Sequence, residues 1–497
     1  MQVADIFAKL GEFGKLHVRL LIMTTLLQTA TSAITFAYAF LFFQPDFYCK
    51  TAEGDFYSCN QEIACHNRYG MRVETKIHSL ITENNLYCDN RWKAITGKNI
   101  SLIVGALGAT LSMFAMEKFG RKATYRVLTI GVVFGVVILR VIDSYWISVF
   151  AITALYWFNY MSFTNFYVYS TEIFNGKYRS MANTIFFSFN NICKMIYILI
   201  NLGITHYHSN YIFLIVVTAV FAPAVFFIIE TPFFYHRKGD IKKLQDNLNH
   251  FNKVNNEGDV DKIEENRKLI EKHLQTEGVT KKELTDYSIM EVERKMNKNL
   301  FNEKLTRYDY LKHMTIIIVP IIPHYVGFAL IDLVPYKLGL NNIFISSMAF
   351  QATSLITNLA LIPFLHKIKR RKGNIIIVLF YVLVSVILLM FRIFDVRHYE
   401  GIKWTELGLT VFLNGLGAFQ FLLISRYVNE VFPTKLRAIS ISLVLVFGRM
   451  SMFLANFVDP LSEIWAIHPF VPVGVFYLLT LPCYWRFEET LNMPTKN

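Results

Sequence analysis

Apolar residues recur along this chain in runs as long as a helix needs to cross a bilayer, about 20 residues. The runs occupy positions 19–43, 98–116, 126–142, 147–170, 181–203, 211–229, 315–334, 342–365, 374–392, 404–427, 438–458 and 467–485. Buried helices of soluble proteins rarely stay this apolar for eighteen residues or more, and the stretch from Tyr211 to Ile229 holds no charged residue. The pattern predicts an all-α membrane protein with twelve transmembrane helices.

The polar segments between the runs divide the chain further. A charged stretch, residues 233–312, separates two sets of six runs and is expected to be helical in part, over 240–254 and 260–275. The organisation that follows is an N-terminal segment 1–18, a six-helix half 19–232, the linker 233–312 and a second six-helix half 313–497. The first 18 residues are charged and lead straight into the first run, unlike a cleavable leader. A second long connection, residues 45–96, holds Cys49, Cys59, Cys65 and Cys88, four of the six cysteines. Such a cluster predicts two disulfides and an oxidising compartment; three pairings are open. The spacings are irregular and include no Cys-x-x-Cys, so a metal site is not expected.

Composition agrees with this picture. The 497 residues are 54% apolar and 18% charged, whereas soluble chains average about 25% charged. The formal charge of +13 would suit nucleic acid, but its distribution excludes that partner. Lys118, Arg121 and Lys122 lie in the second connection, Lys177 and Arg179 in the fourth, Lys367, Lys369, Arg370, Arg371 and Lys372 in the eighth, and Lys435 and Arg437 in the tenth. Lys and Arg concentrate on the cytoplasmic side of membrane proteins. The even connections and both termini are therefore expected on that inner side, and the cysteine-rich loop outside.

The same loops carry a repeat. Glu172-Ile-Phe-Asn-Gly-Lys177-Tyr-Arg179 follows the fourth run, and Glu430-Val-Phe-Pro-Thr-Lys435-Leu-Arg437 follows the tenth, an offset of 258. Glu230-Thr231 follows the sixth run and Glu489-Thr490 the twelfth, an offset of 259. Glu117-Lys-Phe-Gly120-Arg121-Lys122 aligns more weakly with His366-Lys-Ile-Lys369-Arg370-Arg371 at 249. Parallel six-helix repeats are a transporter architecture, with the substrate site near the midplane between halves. Glu117, Arg121, Glu172, Arg179 and Glu230, with Glu430, Arg437 and Glu489, are expected to form a gating charge network that pairs across the halves. A network present in one conformation and broken in another would bias the equilibrium between them.

Taken together, these segments resemble the organic cation/anion transporter family of the major facilitator superfamily. The resemblance rests on Phe7-Ala-Lys-Leu-Gly11-Glu12-Phe13-Gly14, on Ser79-Leu-Ile-Thr82-Glu83-Asn-Asn-Leu86-Tyr-Cys88-Asp89, on Gly105, Gly108 and the Glu117–Lys122 loop, and on Glu230-Thr-Pro-Phe-Phe-Tyr-His-Arg-Lys-Gly239. It covers essentially the whole chain and implies a plasma-membrane carrier of small organic ions. Three departures stand out. The eighth connection lacks the family's acid and glycine, the fourth run lacks its glycine-rich face and arginine, and Gly448-Arg449-Met450-Ser451-Met452 keeps the arginine without paired glycines. These losses support a second reading, a degenerate transporter fold acting as a structural subunit of a larger membrane assembly, for example in the mitochondrial inner membrane.

Ionisable residues inside spans are costly and point to function. Arg449, about a dozen residues into the eleventh run, matches an arginine of family members that handle organic anions, and its guanidinium can grip a carboxylate or sulfate bidentately. Lys194, beside Asn190 and Asn191, offers a second positive site. His324 and Asp332 of the seventh run, and Tyr156, Tyr160, Phe163 and Tyr167 on one face of the fourth, are candidates to line a central cavity. Asp332 is also the candidate partner that would neutralise either cation. No phosphate-binding glycine loop, paired His ligands or nucleophile elbow is present. Neither an enzyme nor a cofactor is expected. The expectation is a secondary transporter of small organic ions, anions foremost, working by alternating access.

Overall fold

A computed structural model of the chain describes residues 13–271, 307–330 and 343–490, apart from 60, 76–77, 143, 175, 204–206, 363, 365–366, 395–398, 433 and 466. Asp332 lies outside the described residues, as do the side chains of Arg179 and Arg437. A helix falls on each of the twelve apolar runs: α1 (Lys15–Leu41), α2 (Arg91–Phe119), α3 (Arg121–Val141), α4 (Tyr145–Ile173), α5 (Gly176–Asn201) and α6 (Tyr207–Phe221) in the first half, then α7 (Arg307–Leu330), α8 (Ile343–Leu361), α9 (Arg370–Ile393), α10 (Glu400–Val431), α11 (Thr434–Ser451) and α12 (Phe470–Trp485) in the second. Among the described residues nine helices are long and apolar enough to cross a membrane, or ten with the bent pair Tyr211–Phe227 and Pro232–Lys238.

The others fall short for physical reasons. α12 has 16 residues. α4 is polar along its length, with buried Asn159, Ser162, Thr164, Asn165, Ser170 and Glu172. It runs through the interior, packed on α2, α3 and α1, and so needs little lipid-compatible surface. α9 is the opposite. Ile376, Leu379, Leu383 and Val386 are exposed on one stripe while Ile377, Val378, Tyr381 and Val384 are buried on the other, the pattern of a helix with lipid on one side. Exposed Trp92, Trp146, Trp404 and Trp465 gather at outer helix ends, with Trp485 at an inner end. Tryptophan favours both membrane–water boundaries.

The two halves meet where α2 packs on α11 and α5 on α8. On the outer side Phe40 of α1 and Phe344 of α8 bring ring centroids within 5.6 Å, and Asn456 hydrogen-bonds Asn99. The outer loop contains a small three-stranded antiparallel sheet in the order β2 (Phe56–Cys59), β1 (Asp46–Lys50), β3 (Met71–Glu74), which the apolar pattern does not reveal. Its disulfides are Cys49–Cys59 and Cys65–Cys88. On the inner side the linker forms helices at Pro232–Lys238, Ile241–Asn255 and residues 260–271. Leu244, Leu248 and Phe251 bury against the foot of α1, and Asn255 Oδ1 accepts the Leu16 backbone N–H at 3.0 Å.

Candidate functional site

Arg449 leaves α11 toward the junction of the halves. Its guanidinium carbon lies 4.9 Å from the ring centre of Tyr160 and 5.3 Å from that of Phe163, both on α4 of the first half, and 5.3 Å from that of Tyr325 on α7 of the second. An arginine held over aromatic faces is stabilised by the ring quadrupoles, more so away from water. Among the described residues no carboxylate forms an ion pair with Arg449. Its Nη1 faces Met452 Sδ at 3.9 Å, its side chain hydrogen-bonds the Tyr160 and Tyr325 side chains, and among the described residues its buried Nε has no hydrogen-bond acceptor. A guanidinium has five donors, so this one retains capacity for an acceptor brought from outside.

Two glycines let the rings approach. A Cβ on Gly105 of α2 would come 2.9 Å from the Tyr160 ring, and one on Gly448 would collide with the ring of Tyr325. His324 is buried and stacks on Phe421 of α10, centroids 5.7 Å apart and planes 19° apart. Phe421 also meets Tyr167 at 6.4 Å and Phe187 of α5 at 5.5 Å. α4 and α10 both run from outside to inside, so this aromatic layer lies on the inner side of Arg449, opposite the Phe40–Phe344 contact. Asn190 and Lys194 of α5 face α1. Lys194 Nζ lies 5.9 Å from the Phe36 ring centre, Asn190 Oδ1 accepts from Ser32 Oγ at 3.3 Å, and Asn191 is buried.

The inner charges form two matching corners. In the first half buried Arg121, at the start of α3, donates to Glu172 Oε1 at the end of α4, 2.5 Å away. Arg237 donates to the same oxygen at 2.6 Å and Thr231 Oγ1 to Oε2 at 2.7 Å. Glu230 accepts the backbone N–H groups of Arg121 and Lys122 at 3.0 and 3.1 Å, capping α3. Gly120 makes room for it, with φ +95° and the Glu230 carboxylate where a Cβ would sit. Glu117 reaches Arg237 only at 3.8 Å. In the second half Arg370, at the start of α9, grips Glu430 at the end of α10 through Nε and Nη2 at 3.0 and 2.9 Å. Arg426 and Thr490 add 2.8 and 2.5 Å bonds to Glu430, and Glu489 caps the Arg370 N–H at 3.0 Å.

Among the described residues these pairs close within each half; the side chains of Arg179 and Arg437, two of the three bases expected to pair across the halves, lie outside the described residues. The reason for closure within a half is topological: in each half the foot of the third helix, the end of the fourth and the segment after the sixth converge on one corner. Arg370, Arg426, Thr231, Thr490 and Arg237 were not among the residues assigned to the charge network from sequence. The signal for Arg370 was its alignment with Arg121, since 370 − 121 = 249, and for Thr490 its place beside Glu489. The corners differ electrostatically. Burial raises the Glu230 carboxyl above the ordinary glutamate range despite its N–H bonds. Burial pushes Glu430 the same way, but hydrogen bonds and charge from Arg370, with Thr490 and Arg426, outweigh it and hold Glu430 below that range.

Comparison with known proteins agrees with this architecture. A model of the Major Facilitator Superfamily matches residues 98–489. The chain is similar to solute carrier family 22 member 16 of Xenopus laevis, 22% identical over 448 residues that span 88% of this chain and 74% of that protein. The fold is shared with solved structures of the xylose transporter XylE. The proton:xylose symporter bound to 6-bromo-6-deoxy-D-glucose aligns with a TM-score of 0.63 at 12% identity, covering 96% of this chain and 98% of that one. The inward-open form from E. coli aligns at 0.60 and 12% identity, covering 96% and 97%. A double-tryptophan mutant of XylE aligns at 0.64 and 12%, covering 99% and 98%.

Proposed function

Because the chain belongs to the Major Facilitator Superfamily, and so is a multi-pass membrane transporter of small solutes, we propose that its cargo is a small organic anion carried by alternating access between the two halves. The observation that carries this reading is Arg449, whose guanidinium lies between α4 and α7, ringed by Tyr160, Phe163 and Tyr325 with no described carboxylate partner. A carboxylate or sulfate on an aromatic or apolar body fits such a box: the charge takes the guanidinium's open donors and the body takes the rings. His324 and the Tyr167–Phe187–Phe421 layer form the inner wall, and the Phe40–Phe344 contact the outer one. Exchange of these contacts is the motion the reading requires, with the corners at Arg121 and Arg370 holding each half rigid while it rocks. The similarity to solute carrier family 22 member 16 supports organic ions as the class and the plasma membrane as the location. The reading as a structural subunit gains no support from these relatives.

Uptake of a panel of labelled organic anions and cations into proteoliposomes tests the proposal. A hydrogen bond to a charged group contributes about 1.5–3 kcal/mol, so Arg449→Ala is expected to raise the anion KM about 10- to 100-fold. Arg449→Lys, which keeps charge but loses the fork, should fall between. Wild-type uptake of cations alone, or anion KM unchanged in Arg449→Ala, overturns the reading.

A further inference from the structure

The eighth connection and the foot of α9 carry more positive charge than their counterparts in the first half. Shifting by the 249-residue offset of Arg121 and Arg370, Lys367 matches Lys118 and Arg371 matches Lys122, but Lys369 replaces Gly120 and Lys372 replaces Ala123. In the first half Glu117 offsets part of the charge and Arg237 reaches it. The first turn of α9 has no acid. Lys367, Lys369, Arg371 and Lys372 are all exposed, and among the described residues none of them makes an ion pair within 4.0 Å. The nearby acids are otherwise engaged, Glu430 and Glu489 by Arg370 and Glu488 by His313 at 3.8 Å. Arg370 itself is buried and spent on its corner.

The position of these cations fixes what can meet them. Lys372 stands four residues before Ile376, on the stripe that continues through Leu379 and Leu383, each more than half exposed. That stripe faces lipid chains, so Lys372, one turn lower at about 6 Å, lies at headgroup level. Phe364, 56% exposed, gives the same end of the connection an apolar anchor. Lys367, Lys369 and Arg371 are exposed within five residues of Lys372, and four cations this close in the chain, with no ion-pair partner among the described residues, match a headgroup with several phosphates. Basic clusters immediately inside a transmembrane helix attract anionic inner-leaflet lipids.

We propose that Lys367, Lys369, Arg371 and Lys372 form a binding site for the phosphorylated headgroup of an anionic inner-leaflet lipid, of the phosphatidylinositol bisphosphate type. The site stands apart from Arg449 and is independent of what the transporter carries. The test is native mass spectrometry of the purified full chain in detergent with phosphatidylinositol bisphosphate, phosphatidylserine and phosphatidylcholine. Wild type should retain the bisphosphate lipid in preference to the other two. Each cation near the surface is expected to contribute about five-fold in affinity. The variant K367Q/K369Q/R371Q/K372Q should therefore lose several hundred-fold, while K118Q/K122Q stays within about two-fold of wild type and K367R/K369R/K372R keeps binding. All the substituted side chains but Lys122 are exposed, and monodispersity on size exclusion reports that the fold is kept. Equal retention by the four-glutamine variant overturns the proposal. So does an equal loss in K118Q/K122Q, which would mean a diffuse positive field, or competition by soluble inositol trisphosphate as strong as by the lipid.

Discussion

Replacing Arg370 by Met tests whether the charged corner of the second half holds its helices together. Arg370 is 1% exposed and Glu430 17%. The substitution keeps the apolar stem but removes two bonds to Glu430, at 3.0 and 2.9 Å, and the bond to the Ile368 carbonyl. Removing one member of a buried ion pair costs about 3–5 kcal/mol, because the other is left uncompensated. Here Glu430 retains Arg426 and Thr490, so about 2–3 kcal/mol is expected. The Glu489 cap binds the backbone N–H and survives. Unfolding of the purified protein in SDS, followed by tryptophan fluorescence, gives the free energies for Arg370→Met, Glu430→Gln and the double variant. The double variant should cost about 2 kcal/mol less than the sum of the singles, the mark of direct coupling. Lys15→Met supplies the reference, since its pair with Glu257 is 68% and 71% exposed and such pairs contribute under about 1 kcal/mol. An Arg370→Met loss no larger than that of Lys15→Met would refute the reasoning.

The corners should also respond oppositely to pH. Glu430 is held low, so its contribution is present above the ordinary glutamate value near 4.3 and is lost as pH falls through its folded value; Glu230 is held high, so its contribution is present below that value and lost as pH rises through its raised one. Melting midpoints across pH 3 to 7 should therefore show Glu430→Gln removing an acid-side loss and Glu230→Gln a neutral-side loss; superimposable profiles would count against the assignment. Gly448→Ala should push the Tyr325 ring off Arg449 and depress anion uptake, whereas Gly401→Ala, with nothing within 4 Å of its new Cβ, should not. Separating Cys49 from Cys59, which closes a loop of 10 residues, costs the outer loop roughly 3 kcal/mol in the chain-entropy model. Limited proteolysis should then cut between residues 46 and 74 in Cys49→Ser/Cys59→Ser, and an unchanged digest would argue that the sheet stands without the bridge.

The helical plan was legible because lipid enforces it. Every span must satisfy its backbone internally and face hydrocarbon somewhere, so α9 announces itself by an apolar run. α4 is a weaker signal for the same reason, since its Asn159, Asn165 and Glu172 are shielded by its neighbours. The outer sheet was illegible. β1 has five residues and β2 and β3 four each, too short for alternation to stand out, and disulfides carry much of the order that periodicity would otherwise encode. Arg449 and the acids Glu172, Glu230, Glu430 and Glu489 could be picked from the chain. The rings around Arg449 could be suspected only on α4, because Tyr325 and Phe421 are unremarkable aromatic residues until three helices bring them together.

The repeat by itself leaves the pairing open. Matched acids and bases in two sets of loops fit bonds across the halves and bonds within each half equally well, because the offset is the same for both. What separates the two is which helix ends share a corner, and the caps decide it: Glu230 can reach the N–H groups of Arg121 and Lys122 only if the segment after α6 folds under α3, and Glu489 reaches that of Arg370 only if the segment after α12 folds under α9. Each half is thereby closed on itself, and the two corners are near copies. Functional differences must then lie where the copies diverge. Shifting Arg449 back by 258 reaches Asn191, a neutral residue on α5, and the extra cations Lys369 and Lys372 have Gly120 and Ala123 as counterparts. The symmetric features stabilise a two-part scaffold, and the proposed selectivity for anions at its centre and at its inner rim falls at positions where the second half has gained a positive charge the first half lacks.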